Sequence, residues 1–208
     1  MTVHDKIVAM MEEMTKWRRT LHACPETAFE EKETSDYVAE KLRSFGLDIY
    51  RGIAGTGIVA TLQRGKGSFP AIGLRSDIDA LDITEATALP YASRNEGKMH
   101  ACGHDFHLSL ALAAANLLSQ IKGRLAGSYR FILQPAEEGP PQGSSTGARG
   151  MVAAGVLDNP RVDIILGLHV APTLDVGHIR YGRDVVMAGS DHLVITVTGK
   201  SAHGATPH

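Results

Sequence analysis

Cysteine is scarce in this chain: Cys24 and Cys102 are the only two among 208 residues. Two thiols do not make a disulfide framework in a chain of this size. Long apolar runs are also missing. The longest, over residues 108–118, is interrupted by Ser109 and Asn116 and is too short to span a bilayer. The first six residues are polar and lack the apolar stretch of a signal peptide. No basic run occurs and the formal net charge is -2, which argues against a nucleic-acid surface. The one basic spot, residues 16–19, reads as the solvated face of an amphipathic helix. There is no internal repeat. These absences leave a cytoplasmic protein in a reducing setting, with neither nucleic acid nor membrane as partner. At 43% hydrophobic and 21% charged residues, the composition is that of a globular chain able to bury one sizeable core and to begin a second domain.

Hydrophobic periodicity gives the elements. Ile7, Val8, Met11, Met14, Trp17 and Leu21 recur at helical spacing over residues 5–22, and Pro25 ends that helix. A second helix is predicted over 31–45, with Tyr37, Val38, Leu42 and Phe45 on one face and Gly46 as its stop. Strands are predicted over 57–62, 71–75, 129–133 and 163–168, and helices over 104–121 and 147–155. This alternation implies an α/β fold with a mainly parallel sheet and helices on both faces. After about residue 185 the pattern changes. The β-rich run over 192–198 predicts the first strand of a separate α+β domain, which divides the chain into 1–186 and 187–208.

Ligands of open α/β sheets bind outside the carboxyl ends of the strands. Asp77 and Asp79 follow one predicted strand, Glu137 and Glu138 a second, and His169 a third. The segment His100-Ala101-Cys102-Gly103-His104-Asp105 opens the helix over 104–121. Four pieces of chain therefore deliver carboxylates, imidazoles and a thiol to one edge, as a metal site requires. Gly103 lets Cys102 and His104 reach one centre. The helix N-terminus favours the thiolate, and thiolate with imidazole suits zinc and similar ions. Adjacent glutamates on an extended or turning segment point in different directions. One can bind metal while the other handles a proton. Asp77 and Asp79 alternate along the chain and face one side. They either orient an imidazole or form a strand-end turn. His107, one turn after His104, reads as a buried structural histidine, and His22, His178 and His192 have no supporting context.

Seven motifs then resemble one family in order. They are Trp17-Arg18-Arg19-Thr20-Leu21-His22 with Pro25-Glu26; Gly55-Thr56-Gly57-Ile58; Arg75-Ser76-Asp77-Ile78-Asp79-Ala80-Leu81; and Met99-His100-Ala101-Cys102-Gly103-His104-Asp105. Gln134-Pro135-Ala136-Glu137-Glu138-Gly139, Gly167-Leu168-His169 and Ser201-Ala202-His203-Gly204-Ala205-Thr206-Pro207-His208 complete the set. The chain resembles the M20 metallopeptidases, in the amidohydrolase branch of hippurate hydrolases, auxin-conjugate hydrolases and N-acyl amino acid deacetylases. The resemblance implies a metallo-exopeptidase-like catalytic domain in which Cys102, His104, Glu138 and His169 bind two divalent ions, zinc or manganese first, nickel or cobalt next. It implies Glu137 as general base, and His203 as an oxyanion donor reaching a partner subunit's site in a homodimer. Residues from about 187 would begin the lid and dimerisation domain. The expected activity is hydrolysis of the amide bond of N-acyl amino acids by a metal-bridged water. The family's lid continues past the His203 motif, and its returning segment supplies a last histidine ligand, so the alternative is an inactive fragment with a partial metal site. A thiol hydrolase built on Cys102 would leave the glutamate pair unexplained.

Overall fold

The computed structural model describes residues 2–64, 70–141, 143–159, 161–182, 186–189 and 193–208. The chain divides into two compact units, Met1–Val170 and Ala171–His208. In the first, α1 (Val3–His22) starts at a capping box: Thr2 accepts from the Asp5 amide while Asp5 accepts from the Thr2 amide. Then come α2 (Lys32–Ser44), β1 (Asp48–Ile53), β2 (Gly57–Arg64), β3 (Ala71–Asp77), α3 (His104–Gln120), a short 3-10 turn (Lys122–Arg124), β4 (Gly127–Gln134), α4 (Gly147–Ala153) and β5 (Ile164–Gly167).

The α/β class and the helices on both faces hold, but the five-stranded sheet is mixed. Its order is β1-β2-β4-β3-β5; β3 pairs in parallel with β4 and β5, while β1–β2 and β2–β4 are antiparallel. The sequence reading missed β1. A turn of three residues joins it to β2, which permits only a hairpin, whereas β3 reaches β4 through the α3 crossover and so runs parallel to it.

Strand alternation sends Ile58, Ala60, Leu62, Phe131 and Leu133 to one face, where they pack with Trp17 and Leu21 of α1, Val38 and Leu42 of α2, and Leu108 and Leu112 of α3. Val59 and Ile132 point the other way, to Met151 of α4 and Val156. The buried line of α1 is Met10, Trp17 and Leu21, with Met14 half-buried; Ile7, Val8 and Met11, expected on that face, are exposed. The basic spot is not wholly solvated either. Arg18 Nε donates to the buried Asp105 carboxylate at 2.8 Å, because α1 lies against α3.

β5 is an exposed edge strand, with Ile164, Ile165 and Leu166 each about half accessible. In the second unit, the strand expected over 192–198 is not present across the described residues 193–198; His192 lies outside them. A strand exists only as part of a hydrogen-bonded ladder, and in this unit the one described pairing is the isolated His203–Thr206 bridge. No helix among the described residues is long and apolar enough to cross a membrane.

Phe131, fully buried between β4 and the three helices, tests the main core. Phe131→Ala is expected to destabilise the chain by ~3–5 kcal/mol, measured by chemical denaturation.

Candidate metal centre

The three parallel strands end together. Asp77 at the end of β3 pairs with Gln134 at the end of β4, and Arg75 pairs with Gly167 at the end of β5. The chain that leaves these ends carries Asp79, Glu137–Glu138 and His169, and α3 starts beside them. The N-cap of α3 is Gly103, with φ +96. A Cβ on that residue would lie 2.6 Å from Val170 Cγ2, so only glycine fits both the turn and the neighbouring strand end. Cys102 and His104 are thereby turned toward His169.

The expected ligand residues come together. Cys102 Sγ lies 3.3 Å from His169 Nε2, and His104 Nε2 lies 3.6 Å from Glu138 Oε1 and 3.8 Å from Glu137 Oε2. Among the described residues, three overlapping groups could hold a metal ion: Cys102–His104–His169, Asp77–His104–His107 and His104–Glu137–Glu138, each with donor atoms within 4.8 Å of one another. His104 belongs to all three. Ligand atoms bonded at ~2.0–2.3 Å around a tetrahedral ion sit roughly 3.3–3.7 Å apart, so the spacings of His104 to the two glutamates suit a shared cation better than direct hydrogen bonds, and the Cys102–His169 spacing is compatible with either. His104 Nε2 and Glu138 Oε1 are moreover buried without a hydrogen-bond partner. The residues present thus fit a divalent metal.

The two aspartates differ in what they touch. Asp79, wholly buried, faces His104 Nδ1 with its carboxylate at 3.2 Å and its carbonyl oxygen at 2.9 Å. In the neutral ring that metal ligation requires, this holds the proton on Nδ1 and presents Nε2 as the donor atom. Asp77 pairs with Arg75 Nη1 at 2.6 Å and lies 3.9 Å from His104 Nε2. For Asp79 the strand-end turn alternative therefore gives way to imidazole orientation. The two glutamates, expected to diverge, converge on His104. The backbone leading into them is not extended: Ala136, just before the pair, has φ +47, and the amides of Glu137 and Glu138 both donate to Asp79 Oδ2, at 2.8 and 2.9 Å.

Acidic groups outnumber cations here, and the pKa values follow. His104 is pushed up to about 9: burial opposes this, but the Asp79 hydrogen bond and the charges of Asp77 and Asp79 prevail. Burial, aided by Glu137 and Asp79, pushes Asp77 up to about 7 against the pull of Arg75 and His104. Burial and then the nearby Glu138, Glu137 and Asp77 push the Cys102 thiol up to about 12. The helix N-terminus was expected to favour the thiolate, and these carboxylates outweigh it. A coordinated divalent ion reverses that balance by deprotonating a ligating thiol.

Two buried histidines surround this cluster. His107 is held down at about 4 by burial and by His169 and His104; its Nε2 accepts the Val170 amide at 2.9 Å, next to His169. His22, given no role from sequence, is buried with Nδ1 2.8 Å from Asp105 and Nε2 3.2 Å from Glu85. Its partners lie 83 and 63 residues away, beyond any local pattern. His178 and His203 fall in the second unit. His203 is exposed, and its Nδ1 accepts the Ala205 amide at 3.2 Å.

His100 gives a pH test. Burial lowers it from its ordinary 6.5 to about 4, and neither ring nitrogen has a hydrogen-bond partner. Above pH 6.5 the ring is neutral in both states and contributes no pH dependence. As pH falls from 6.5 toward 4 the unfolded chain takes the proton first, and stability is lost. Denaturation midpoints across this window should fall less steeply in His100→Met than in the parent. Equal slopes would mean that His100 is not buried as a neutral ring.

The sequence profile described as Peptidase family M20/M25/M40 matches residues 73–203, more than half of the chain. An N-acetyl-L-cysteine deacetylase of Bacillus subtilis is 42% identical over 191 residues, covering 92% of this chain and 44% of its own length. An N-acyl-L-amino acid amidohydrolase of Geobacillus stearothermophilus is 42% identical over 193 residues, covering 92% of this chain and 50% of its own. The chain thus spans about half the length of these relatives. A crystal structure of a dinuclear metal-binding M20 peptidase from Bacillus subtilis superposes with TM-score 0.73 at 42% identity, covering 81% of this chain and 45% of that one. By the matched profile, and by a fold shared with a solved relative, the chain belongs to Peptidase family M20/M25/M40.

Proposed function

We propose that this chain carries the catalytic half-site of a metal-dependent amidohydrolase that cleaves the amide bond of N-acyl amino acids. Cys102, His104, Glu138 and His169 would hold two divalent ions, and Glu137 would be the general base. The observation that carries this reading is the split between the two glutamates. Glu138 is 20% exposed and has a buried oxygen, without a hydrogen-bond partner among the described residues, facing His104 Nε2, as a ligand should. Glu137 is 40% exposed and opens to the solvent side, where a proton carrier must meet water and substrate.

Zinc or manganese suits this sulfur, nitrogen and oxygen donor set, with nickel and cobalt as further candidates. When bound, such ions would polarise an amide carbonyl and acidify a water. Glu137 takes a proton from the attacking water as its oxygen bonds to the carbonyl carbon. It then delivers that proton to the amide nitrogen as the C–N bond breaks. Asp79 keeps His104 in the tautomer that presents Nε2.

His203 accepts at Nδ1, so its ring proton lies on Nε2, where it can donate to a developing oxyanion. That role would place it in the site of a second copy, in a homodimer. The acylated amino acid substrate is supported by the names of the relatives, which include a deacetylase, an amidohydrolase and, in Arabidopsis thaliana, an IAA-amino acid hydrolase 39% identical over 204 residues. The two free thiols favour a reducing, cytoplasmic compartment. A thiol hydrolase is disfavoured because the Cys102 thiol is pushed up to about 12. A second reading is metal binding without turnover by the donor groups gathered on His104.

Purified chain loaded with manganese or zinc and assayed on N-acetyl and N-benzoyl amino acids should release free amine. Metal retention with no release would favour the second reading, and no metal retention would sink both. Glu137→Gln should keep its metal content and lose at least ~100-fold in turnover; unchanged turnover would remove Glu137 as the base. Cys102→Ala should lower metal content by elemental analysis, and an unchanged content would take Cys102 out of the ligand set.

A further inference from the structure

Glu31 is wholly buried and sits at the N-cap of α2, yet its carboxylate makes no bond to that helix. Another residue does the capping. Glu26 accepts the amides of Lys32 and Glu33 at 3.1 Å and of Thr34 at 2.7 Å. The Glu31 side chain reaches across the sheet end instead. Its Oε2 accepts the Thr56 hydroxyl at 2.5 Å, and its Oε1 accepts the Ala136 amide at 2.9 Å. Burial raises its pKa, with the Thr56 and Ala136 bonds pulling the other way.

The Ala136 amide is the first of three in a row. Those of Glu137 and Glu138 go to Asp79 Oδ2. Two buried carboxylates thus capture three consecutive N–H groups. Such a pattern sets the backbone of a segment that has left its strand and has no ladder to guide it. Ala136 is held at φ +47, an unfavourable conformation for a residue with a Cβ, which persists only where the surroundings impose it. Those surroundings are close. A Cβ on Gly147 would come 1.7 Å from the Pro135 carbonyl oxygen, and the Gly147 amide donates to Ala136 O at 3.3 Å.

We propose that Glu31 is a positioning residue for the Glu137–Glu138 pair: by holding the Ala136 amide it fixes the left-handed bend that aims both carboxylates at His104. This inference rests on the metal-site reading of Glu138. Glu31 touches no reacting atom and acts through the backbone of residue 136. Glutamine at 31 can still accept the Ala136 amide, whereas methionine fills a similar volume and cannot.

The test uses the 208-residue chain and cobalt(II) as probe, with affinity read from visible absorbance and folding from circular dichroism. Glu31→Met should weaken cobalt binding by about 10-fold or more, and Glu31→Gln should bind near the parent level. Glu138→Ala is run beside them. Weakened binding in Glu138→Ala with unchanged binding in a folded Glu31→Met would overturn the role of Glu31 and leave the metal site intact. Unchanged binding in Glu138→Ala would overturn the metal-site reading, and the inference with it. If Glu31→Met does not fold, Thr56→Val removes the anchor of the other Glu31 oxygen and is read the same way: weaker cobalt binding supports the proposal and unchanged binding overturns it.

Discussion

Asp79 is the point on which this site depends. It follows β3 by two residues, is wholly buried, and is shared by pieces of chain far apart in sequence. One oxygen faces His104 Nδ1 at the start of α3, and the other takes two successive amides from the segment after β4. Asp79 joins a strand end, a helix start and a turn: Oδ2 takes the two amides, while its carbonyl oxygen and the charge of Oδ1 face His104 Nδ1. The orientation of His104, and with it every candidate ligand group, follows from that junction.

Around it the molecule is built against its own electrostatics. Asp77, Asp79, Glu137 and Glu138 gather near one arginine; burial, with this charge added to it, raises the pKa values of Asp77 and Cys102, and the aspartates raise His104 against its burial. Such concentrations of like charge destabilise a fold unless a cation completes them. The outer network of Arg18, His22, Asp105 and Glu85 is different, because there each charge has a partner within the chain. It ties α1 to α3 and to the long segment between β3 and α3, and so steadies the helix whose first residue is His104.

The glutamate pair shows how backbone conformation decides chemistry. On a simple extended segment two neighbouring side chains separate. The left-handed Ala136 and the captured amides bring them to the same imidazole while leaving them unequally buried. Position on the backbone, not residue type, separates the proposed ligand from the proposed base.

The sequence by itself determined the α/β class and most of the elements, because periodicity and caps are local properties; residue chemistry marked Cys102, His104, the Glu137–Glu138 pair and His169 as candidates, and the family resemblance divided them into ligands and base. It also placed the site at the strand ends, since connections between parallel strands return the chain to one edge. Only the tertiary structure decided that the sheet is mixed, since a short hairpin strand such as β1 carries little pattern of its own. It alone gave roles to Glu31 and His22, whose partners lie 105 and 83 residues away, and it chose for Asp79 between orienting an imidazole and closing a turn. Buried polar groups are selected by partners that meet only when the chain has folded, and no window of sequence contains both ends of such a bond.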